Sequence, residues 1–256
     1  MQFIDTHAHL QFEKFDADRE EVIKRNAEKL LAVINPGADL VSSENGVKLC
    51  QRVSNFYAAV GVHPHHVDNW TEEYLPTLEN LLVQEKVVAV GEIGLDKHIY
   101  VGYPEPDLAK QTTILLPQIE LAKKYKKPIL FHTRKAYDDL YEVVKKYKPL
   151  TGLLHCFMGN IDTAKKFVDL GLLISFAGNL TYKNNEHMRE VAAYLSADKI
   201  LLETDSPYLS PEPLRGQRNE PQNIVLTAEV VAQVRNTTLE EVANLTTVNA
   251  RKLFAI

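Results

Sequence analysis

Residues 87–96 read Val-Val-Ala-Val-Gly-Glu-Ile-Gly-Leu-Asp. The four consecutive apolar residues of β character in this stretch are typical of a parallel strand that is buried on both faces. The glycines let the backbone turn tightly beside a ligand, and Glu92 stands directly after the apolar run. Because an unpaired carboxylate costs much free energy to bury, the stretch predicts a strand that ends where Glu92 finds a partner.

The same pattern of a short apolar run beside an amphipathic helical pattern recurs along the chain. We predict eight strands, at 2–6, 31–35, 56–60, 87–90, 128–131, 152–154, 172–176 and 199–202. We predict helices over 16–31, 42–53, 72–85, 107–126, 135–147, 161–170, 185–195, 220–235 and 238–253. Pro117 should kink or split the helix in which it lies.

Strict alternation of strands and helices predicts right-handed βαβ units and a parallel sheet. Eight repeats favour a closed barrel over an open doubly wound sheet. The open sheet would be indicated by a Gly-rich phosphate loop after the first strand, which this sequence lacks. We therefore expect an α/β fold, a (β/α)8 TIM barrel formed as a single domain by residues 1–256.

The composition restricts the possible functions. Apolar residues make up 45% of the chain, and the formal net charge is −5. Bulk charge therefore does not attract nucleic acid, and phosphate binding requires a local device such as a metal cluster. Cys50 and Cys156 indicate neither a disulfide framework nor a Cys-type zinc site. Without a signal peptide or an apolar run of about 20 residues, we expect a cytoplasmic protein with no membrane contact and no obligate protein partner.

Metal-ligating residue types follow the predicted strands, and active sites of such barrels form at the carboxyl ends of the strands. His7 and His9 follow the first strand and, as residues i and i+2, point to one face. The residues after the fourth, fifth, sixth and eighth strands are Glu92, His132, His155 and Asp205.

Each of these residues has a structural alternative: the histidines could be core residues bonded to backbone, Glu92 could pair with a lysine, and Asp205 could cap a turn. Together, however, imidazoles and carboxylates converge on one rim without a thiolate. That mix suits Zn²⁺ or Mn²⁺ better than Mg²⁺, which prefers oxygen ligands. The ligands exceed what one catalytic ion needs, so we expect two divalent metal ions that share Glu92.

The chain resembles the TatD-type metal-dependent deoxyribonucleases of the amidohydrolase-like barrel superfamily over essentially its whole length. The motifs that carry the resemblance are Asp-Thr-His-Ala-His at 5–9, Gly-Val-His-Pro-His at 61–65, Gly-Glu-Ile-Gly-Leu-Asp at 91–96, His-Thr-Arg at 132–134, His-Cys-Phe at 155–157, Glu-Thr-Asp-Ser-Pro at 203–207 and Arg-Gly-Gln-Arg-Asn-Glu-Pro at 215–221.

The resemblance implies a two-metal nuclease in which Glu92 bridges the ions. The further ligands would be His7, His9 and Asp205 for one metal, and His132 and His155 for the other. A hydroxide between the metals would attack the phosphodiester phosphorus, and Asp205 would orient that water and accept its proton. A bound metal can lower the pKa of water from about 15.7 to about 7. The implied substrate is DNA, as single strands or ends, with exonucleolytic cleavage and a role in DNA repair or degradation.

Other residues near these motifs could contact the substrate. His63 and His65 could touch phosphate or help a metal, or they could pack as loop histidines. Arg134 could clamp phosphate through two hydrogen bonds, or it could pair with a carboxylate such as that of residue 203. Arg215 and Arg218 lie on a Pro-rich loop, where they could contact phosphate or be solvated.

Supporting roles are expected for three residues. Glu203 shares the strand face of Asp205 and should support the ligands from behind. Asp96 should fix the loop after Glu92, and Cys156 should face away from the site as a packing residue. The departures from the family pattern border the site and concern substrate preference: the segment 97–102, Met158 and Asn179.

Two alternatives compete with the nuclease hypothesis. The first is hydrolysis of a small phosphoester, lactone or amide, because this barrel hosts many chemistries. The second is a non-catalytic metal-binding barrel, against which the intact Asp205 beside a full ligand set argues.

Overall fold

Strands and helices alternate along the chain. A computed structural model of the protein describes residues 2–101 and 105–256, so that Met1 and Gly102, which lie within segments considered above, fall outside the described residues. The strands are β1 (Ile4–Asp5), β2 (Ala32–Pro36), β3 (Phe56–Val60), β4 (Val87–Asp96), β5 (Ile129–Arg134), β6 (Gly152–Leu154), β7 (Leu173–Phe176) and β8 (Ile200–Leu202).

The α-helices follow the strands on the outside of the sheet. They are α1 (Arg19–Lys29), α2 (Leu40–Gln51), α3 (Tyr74–Leu82), α4 (Leu108–Tyr125), α5 (Tyr137–Val144), α6 (Ile161–Val168), α7 (Glu186–Tyr194), α8 (Ile224–Arg235) and α9 (Leu239–Phe254). Short 3₁₀ helices cover Glu13–Phe15, Pro64–Asn69, Lys145–Tyr147, Gly178–Thr181, Ala197–Lys199 and Pro221–Asn223. Within the described ranges, no helix has both the length and the apolar character needed to cross a bilayer.

The eight strands form one sheet in the order β1 to β8, and each strand is parallel to its neighbours. Hydrogen bonds also join the two ends of this order. The amide of Thr6 donates to the carbonyl of Leu202 at 3.2 Å, and Ala8 forms a parallel bridge with Ser206. The sheet is therefore a nearly closed barrel, and the predicted (β/α)8 fold is confirmed.

The core has two parts, because each strand buries both of its faces. One large cluster joins the outward-facing residues of the strands to the helices. A smaller cluster joins Ile34, Leu130 and Leu201 of the strands to Leu253 and Phe254 of α9. Burial on both faces explains why the strand sequences are continuously apolar rather than alternating.

The fourth strand is longer than predicted. The apolar run predicted an end at Val90, but β4 continues to Asp96 and pairs with β5 through that residue. The sequence predicted that the glycines of this strand form a turn. Instead, they permit a close approach of β4 and β5. A Cβ atom at Gly94 would collide with the carbonyl oxygen of His132. Glu92 and Asp96 are therefore fixed within a strand rather than on a loop.

Pro117 does not split its helix, because α4 runs continuously from Leu108 to Tyr125. A proline in a helix removes one N–H donor and leaves the carbonyl four residues earlier without its helical partner. That carbonyl belongs to Thr113, which is exposed, so water can satisfy it.

We predict that Gly94→Ala lowers the free energy of unfolding by about 2–3 kcal/mol, because the added methyl group meets backbone that cannot move without displacing β5. Urea denaturation measures this loss. Gly46→Ala in α2 is the control: its Cβ would lie 3.5 Å from the nearest atom, the carbonyl oxygen of Asn35, and alanine favours a helix. Equal stability of both variants would contradict the tight β4–β5 contact.

Candidate metal centre

Metal-ligating side chains gather at the carboxyl ends of the strands. They come from the end of β1, from β4 and β5, and from the segments that follow β6 and β8. The residues are His7, His9, Glu92, Asp96, His132, His155 and Asp205. Most are buried, and several line a cavity of about 710 Å³.

His7, His9 and Asp205 form the first group of ligand atoms. The Nε2 atoms of the two histidines lie 3.1 Å apart, and Oδ1 of Asp205 lies 3.6 Å from Nε2 of His9. Nδ1 of His9 lies 3.0 Å from the carbonyl oxygen of Pro36. Because a carbonyl only accepts, Nδ1 carries the ring proton. Nε2 of His9 therefore presents a lone pair to the other members of the group.

Glu92 connects this group to a second one. Its Oε1 lies 2.8 Å from Nδ1 of His132 and 2.8 Å from Nε2 of His155. Its Oε2 lies 3.4 Å from Nε2 of His7. The two oxygens of one buried carboxylate thus face two different sets of imidazole nitrogens, which is the arrangement that a bridging ligand requires.

Two more carboxylates lie behind the second group. Oδ2 of Asp96 lies 2.9 Å from Nε2 of His132, and Oε1 of Glu203 lies 3.4 Å from Nδ1 of His155. Glu203 also accepts a hydrogen bond from the amide of Cys156 at 2.6 Å. Metal-ligating histidines commonly donate their second ring N–H to a carboxylate in this way, which fixes the tautomer and the ring orientation. The free lone pairs of both rings then face Glu92.

These contacts fit divalent cations. Nδ1 of His132 and Nε2 of His155 lie 3.0 Å apart, and the second nitrogen of each ring faces a carboxylate. Two lone pairs at that distance repel each other unless a cation or a proton lies beside them. Imidazole and carboxylate ligands without a thiolate suit borderline divalent ions. The described residues therefore offer groups of ligand atoms that can hold a metal ion.

The charges of the site shift several pKa values. Burial alone would raise the pKa of Glu92, but His155, His63 and His7 hold it well below its ordinary range. Burial alone would lower the pKa of His155, but Glu92 and the carboxylate behind the ring raise it well above the ordinary value. Glu92 is thus ionised, and His155 holds a proton more readily than an ordinary histidine.

His63 and His65 lie at the edge of the same cluster. Nδ1 of His63 accepts the amide hydrogen of His65 at 3.1 Å, so its Nε2 carries the proton, and that atom lies 3.6 Å from Oε1 of Glu92. Burial and the neighbouring His132 hold the pKa of His63 well below the usual value. His65 lies 2.9 Å from Asp96 through its Nε2. His63 is therefore a neutral hydrogen-bond donor that faces the cavity.

Arg134 also lines the cavity. It does not pair with Glu203, which was one alternative for it. Instead, Nη1 of Arg134 donates to the hydroxyl of Tyr100 at 2.6 Å. Among residues 2–101 and 105–256, no carboxylate oxygen lies within 4.0 Å of its guanidinium. Its charge thus remains available to an anion in the cavity.

The phosphate contact expected at Arg218 needs correction. Its guanidinium binds both carboxylate oxygens of Asp18, at 2.6 and 2.7 Å, and also contacts Glu220. A bidentate pair of this kind occupies the donors that phosphate would need, so Arg218 fastens the loop to α1. Arg215 lies 3.7 Å from Glu212, and its side chain is 60% exposed, so its charge stays accessible.

Part of the cavity wall was not predicted from the sequence. Cys156, expected to pack away from the site, lines the cavity, and its φ of +45° turns the chain there. No motif or periodicity pointed to the aromatic residues of the wall, because they lie on separate loops. They are Phe12, Tyr100, Tyr182 and Tyr208. Met158 and Asn179, noted as departures from the family pattern, also line the cavity.

Asp5 is a further residue whose contribution the sequence did not reveal. Its Oδ1 accepts hydrogen bonds from the amides of His7 at 3.1 Å and Thr204 at 3.0 Å, and its Oδ2 accepts from the Thr204 hydroxyl. Burial raises the pKa of Asp5 to about 8. The amide of Asp205 in turn donates to the carbonyl of His7 at 2.8 Å. These bonds join the segments that carry His7 and Asp205.

Comparison with known proteins identifies the family. The sequence profile of the family described as "TatD related DNase" matches residues 4–255. The chain belongs to the TatD family. It is a metal-dependent hydrolase, and the resemblance inferred from the motifs is confirmed.

Relatives with names or solved structures agree with this assignment. An uncharacterized metal-dependent hydrolase, YabD of Bacillus subtilis (strain 168), is 39% identical over 255 residues, with 98% of each chain covered. The structure of YjjV, a TatD homologue from Escherichia coli K12, matches with a TM-score of 0.91 at 33% identity, covering 99% of this chain and 98% of that one. A TatD-family hydrolase from Entamoeba histolytica matches with a TM-score of 0.88 at 25% identity, covering 99% and 98%.

We predict that Glu203→Gln weakens the affinity for Zn²⁺ or Mn²⁺ about 10- to 100-fold, because the carboxylate that orients His155 loses its charge. Competition with a chromogenic chelator measures the affinity. Glu229→Gln, the same change at an exposed position of α8, should bind the metal as the wild type does. An unchanged metal affinity in Glu203→Gln would argue that His155 does not need the carboxylate of Glu203 to orient its ring, or that His155 does not bind metal.

Proposed function

We propose that this TatD-family hydrolase is a deoxyribonuclease that cleaves phosphodiester bonds of DNA, from an end of the strand, with two divalent cations that share Glu92. The observation that carries the proposal is the position of Glu92 between two groups of imidazoles, with Asp205 beside one of them and open to the cavity. The description of the matching family, which names DNases, supports the choice of DNA.

The ligands of the two ions follow from the contacts. His7, His9 and Asp205 form one group of ligand atoms and would hold one ion. His132 and His155, whose Nδ1 and Nε2 atoms lie 3.0 Å apart, would hold the other. When bound, the cations would neutralise charge on the phosphoryl oxygens and lower the pKa of the attacking water. They would also supply the positive charge that a chain with a net charge of −5 otherwise lacks.

Asp205 is the residue that we assign to proton transfer. Its φ is +56°, and the backbone is held there because its amide donates to His7 and its carbonyl accepts from the amide of Tyr208 at 2.9 Å. This conformation directs the carboxylate to the open side of the cluster, where the side chain is 14% exposed. A water molecule between Asp205 and the phosphorus would be oriented by Oδ1 and would give its proton to that carboxylate.

The substrate phosphate would meet donors from His63 and Arg134, which also line the cavity. Nε2 of His63 carries a proton, and the guanidinium of Arg134 has no carboxylate partner in the described part of the chain. Arg134 can give a phosphate two parallel hydrogen bonds. His65, which contacts Asp96, would support this part of the cavity wall.

Asp205→Asn should separate proton transfer from metal binding. We expect kcat to fall by about 10²–10⁴-fold, the range of a lost general base, while the protein retains its metal because an amide oxygen can still coordinate. Steady-state kinetics and elemental analysis of the same preparation measure both properties. A fully active variant would refute the role of Asp205 as proton acceptor.

Nuclease activity should depend on the metal and on Glu92. Metal-stripped protein is incubated with single-stranded DNA labelled at the 3′ or the 5′ end, and Mg²⁺, Mn²⁺ or Zn²⁺ is restored singly. We expect a ladder of products with at least one metal, and none with Glu92→Ala, which controls for a contaminating nuclease. The two labels give the polarity of cleavage.

The absence of cleavage with every metal would overturn the proposed substrate. The metal site would then serve the alternative reaction, hydrolysis of a small phosphoester, lactone or amide. Chromogenic esters and phosphoesters tested with the same preparations would identify that activity.

A further inference from the structure

Cation–tyrosine pairs surround the cavity. Nζ of Lys14 lies 4.4 Å from the ring centre of Tyr208, and the guanidinium carbon of Arg215 lies 4.3 Å from that of Tyr182. A third pair, Arg134 with Tyr100, has a separation of 5.1 Å. All three tyrosines line the cavity. We call Tyr100, Tyr182 and Tyr208 the tyrosine rim.

The members of the rim come from distant parts of the chain. Lys14 belongs to the 3₁₀ helix after β1, and Tyr182 directly follows the one after β7. Tyr208 stands three residues after Asp205, and its ring lies 6.4 Å from the ring of His9. The rim therefore begins beside the metal ligands and extends outward from them.

The cations of two of these pairs keep their charge accessible. Within the described ranges, no carboxylate oxygen lies within 4.0 Å of Lys14. Among residues 2–101 and 105–256, the carboxylate near Arg215 is that of Glu212 at 3.7 Å, and both of these side chains are well exposed, which makes the pair weak. Arg218 and Arg25 differ, because both are bound by Glu220.

An aromatic face beside an accessible cation suits a nucleotide. The ring stacks on a base or packs on a sugar, and the cation neutralises the adjoining phosphate. A base in a duplex has both faces covered by its stacked neighbours, so this device favours single strands. The pairing of ring and cation does not distinguish one base sequence from another, because every base offers a π face.

We propose that Tyr182 and Tyr208 stack on the nucleotides that flank the scissile phosphodiester of single-stranded DNA, while Lys14 and Arg215 neutralise the flanking phosphates. This inference rests on the proposed nuclease function and deepens it, because it gives the strand a path across the mouth of the cavity. The path explains how an acidic protein holds a polyanion: the positive charge is local and lies beside the rings.

Two substrates test the proposal. One is a short single-stranded oligothymidylate, and the other is bis(p-nitrophenyl) phosphate, a small diester that cannot span the rim. The quantity measured is the ratio of kcat/KM for the oligonucleotide to kcat/KM for the small diester, with metal-loaded protein. For Tyr208→Ala and for Tyr182→Ala we expect this ratio to fall about 10-fold or more.

Matched variants isolate the stacking. Tyr208→Phe and Tyr182→Phe keep the ring and should keep the ratio. Tyr194→Ala removes a tyrosine of α7 that also has a lysine, Lys165, over its ring at 4.9 Å and that does not line the cavity, so its ratio should equal that of the wild type. An unchanged ratio in both alanine variants of the rim, or an equal fall in the phenylalanine variants, would overturn the proposal.

The charge component has its own readout. Lys14→Gln should weaken binding of a fluorescein-labelled oligothymidylate to the Asp205→Asn protein and should make the salt dependence of binding shallower by about 0.7 in log–log slope, the contribution of one phosphate contact on a single strand. An unchanged slope would remove Lys14 from the path.

Failure of the proposed function would be recognised separately. If the wild-type protein cleaves no DNA with any metal, fluorescence anisotropy of the labelled oligothymidylate still decides the inference. Binding that Tyr208→Ala and Tyr182→Ala weaken about 10-fold would support the rim as a nucleic-acid site without cleavage. Absence of binding by the wild-type protein would overturn it.

Discussion

The buried negative charge of Glu92 is the constraint on which the rest of the site depends. A carboxylate that is only 4% exposed destabilises a fold unless positive charge or strong hydrogen-bond donors surround it. Here the imidazoles of His7, His132 and His155 meet its two oxygens. Because these histidines belong to different strand ends, the carboxylate can be satisfied only when the barrel is assembled. The site and the fold are therefore coupled.

Closure of the barrel also affects both the fold and the site. Asp5 binds the amides of His7 and Thr204, and the amide of Asp205 binds the carbonyl of His7. These bonds complete the sheet between its first and last strands. They also bring a carboxylate from the end of the chain's last strand beside imidazoles from its first. The residues of the site are thus far apart in sequence. A local change at the end of β1 or of β8 should therefore affect both the stability of the protein and the geometry of the candidate ligands.

Much of the architecture could be predicted from the sequence, since continuous apolar runs reveal buried parallel strands and the residue after each run falls at one rim. The convergence of His132, His155 and Glu92 follows from that rule. The length of β4 could not be predicted, because Gly94 is equally compatible with a turn and with a close strand contact. The pairing of Arg218 with Asp18 depends on a tertiary contact that leaves no local pattern. The tyrosine rim could not be predicted for the same reason, because its members are single residues on separate loops.

Anomalous diffraction from crystals grown with Mn²⁺ shows whether Glu92 bridges two cations. We expect two anomalous peaks, one at the ligand atoms of His7, His9 and Asp205 and the other at those of His132 and His155, each within coordination distance of one oxygen of Glu92. A single peak without contact to Glu92, or peaks elsewhere in the molecule, would contradict the bridging role of Glu92.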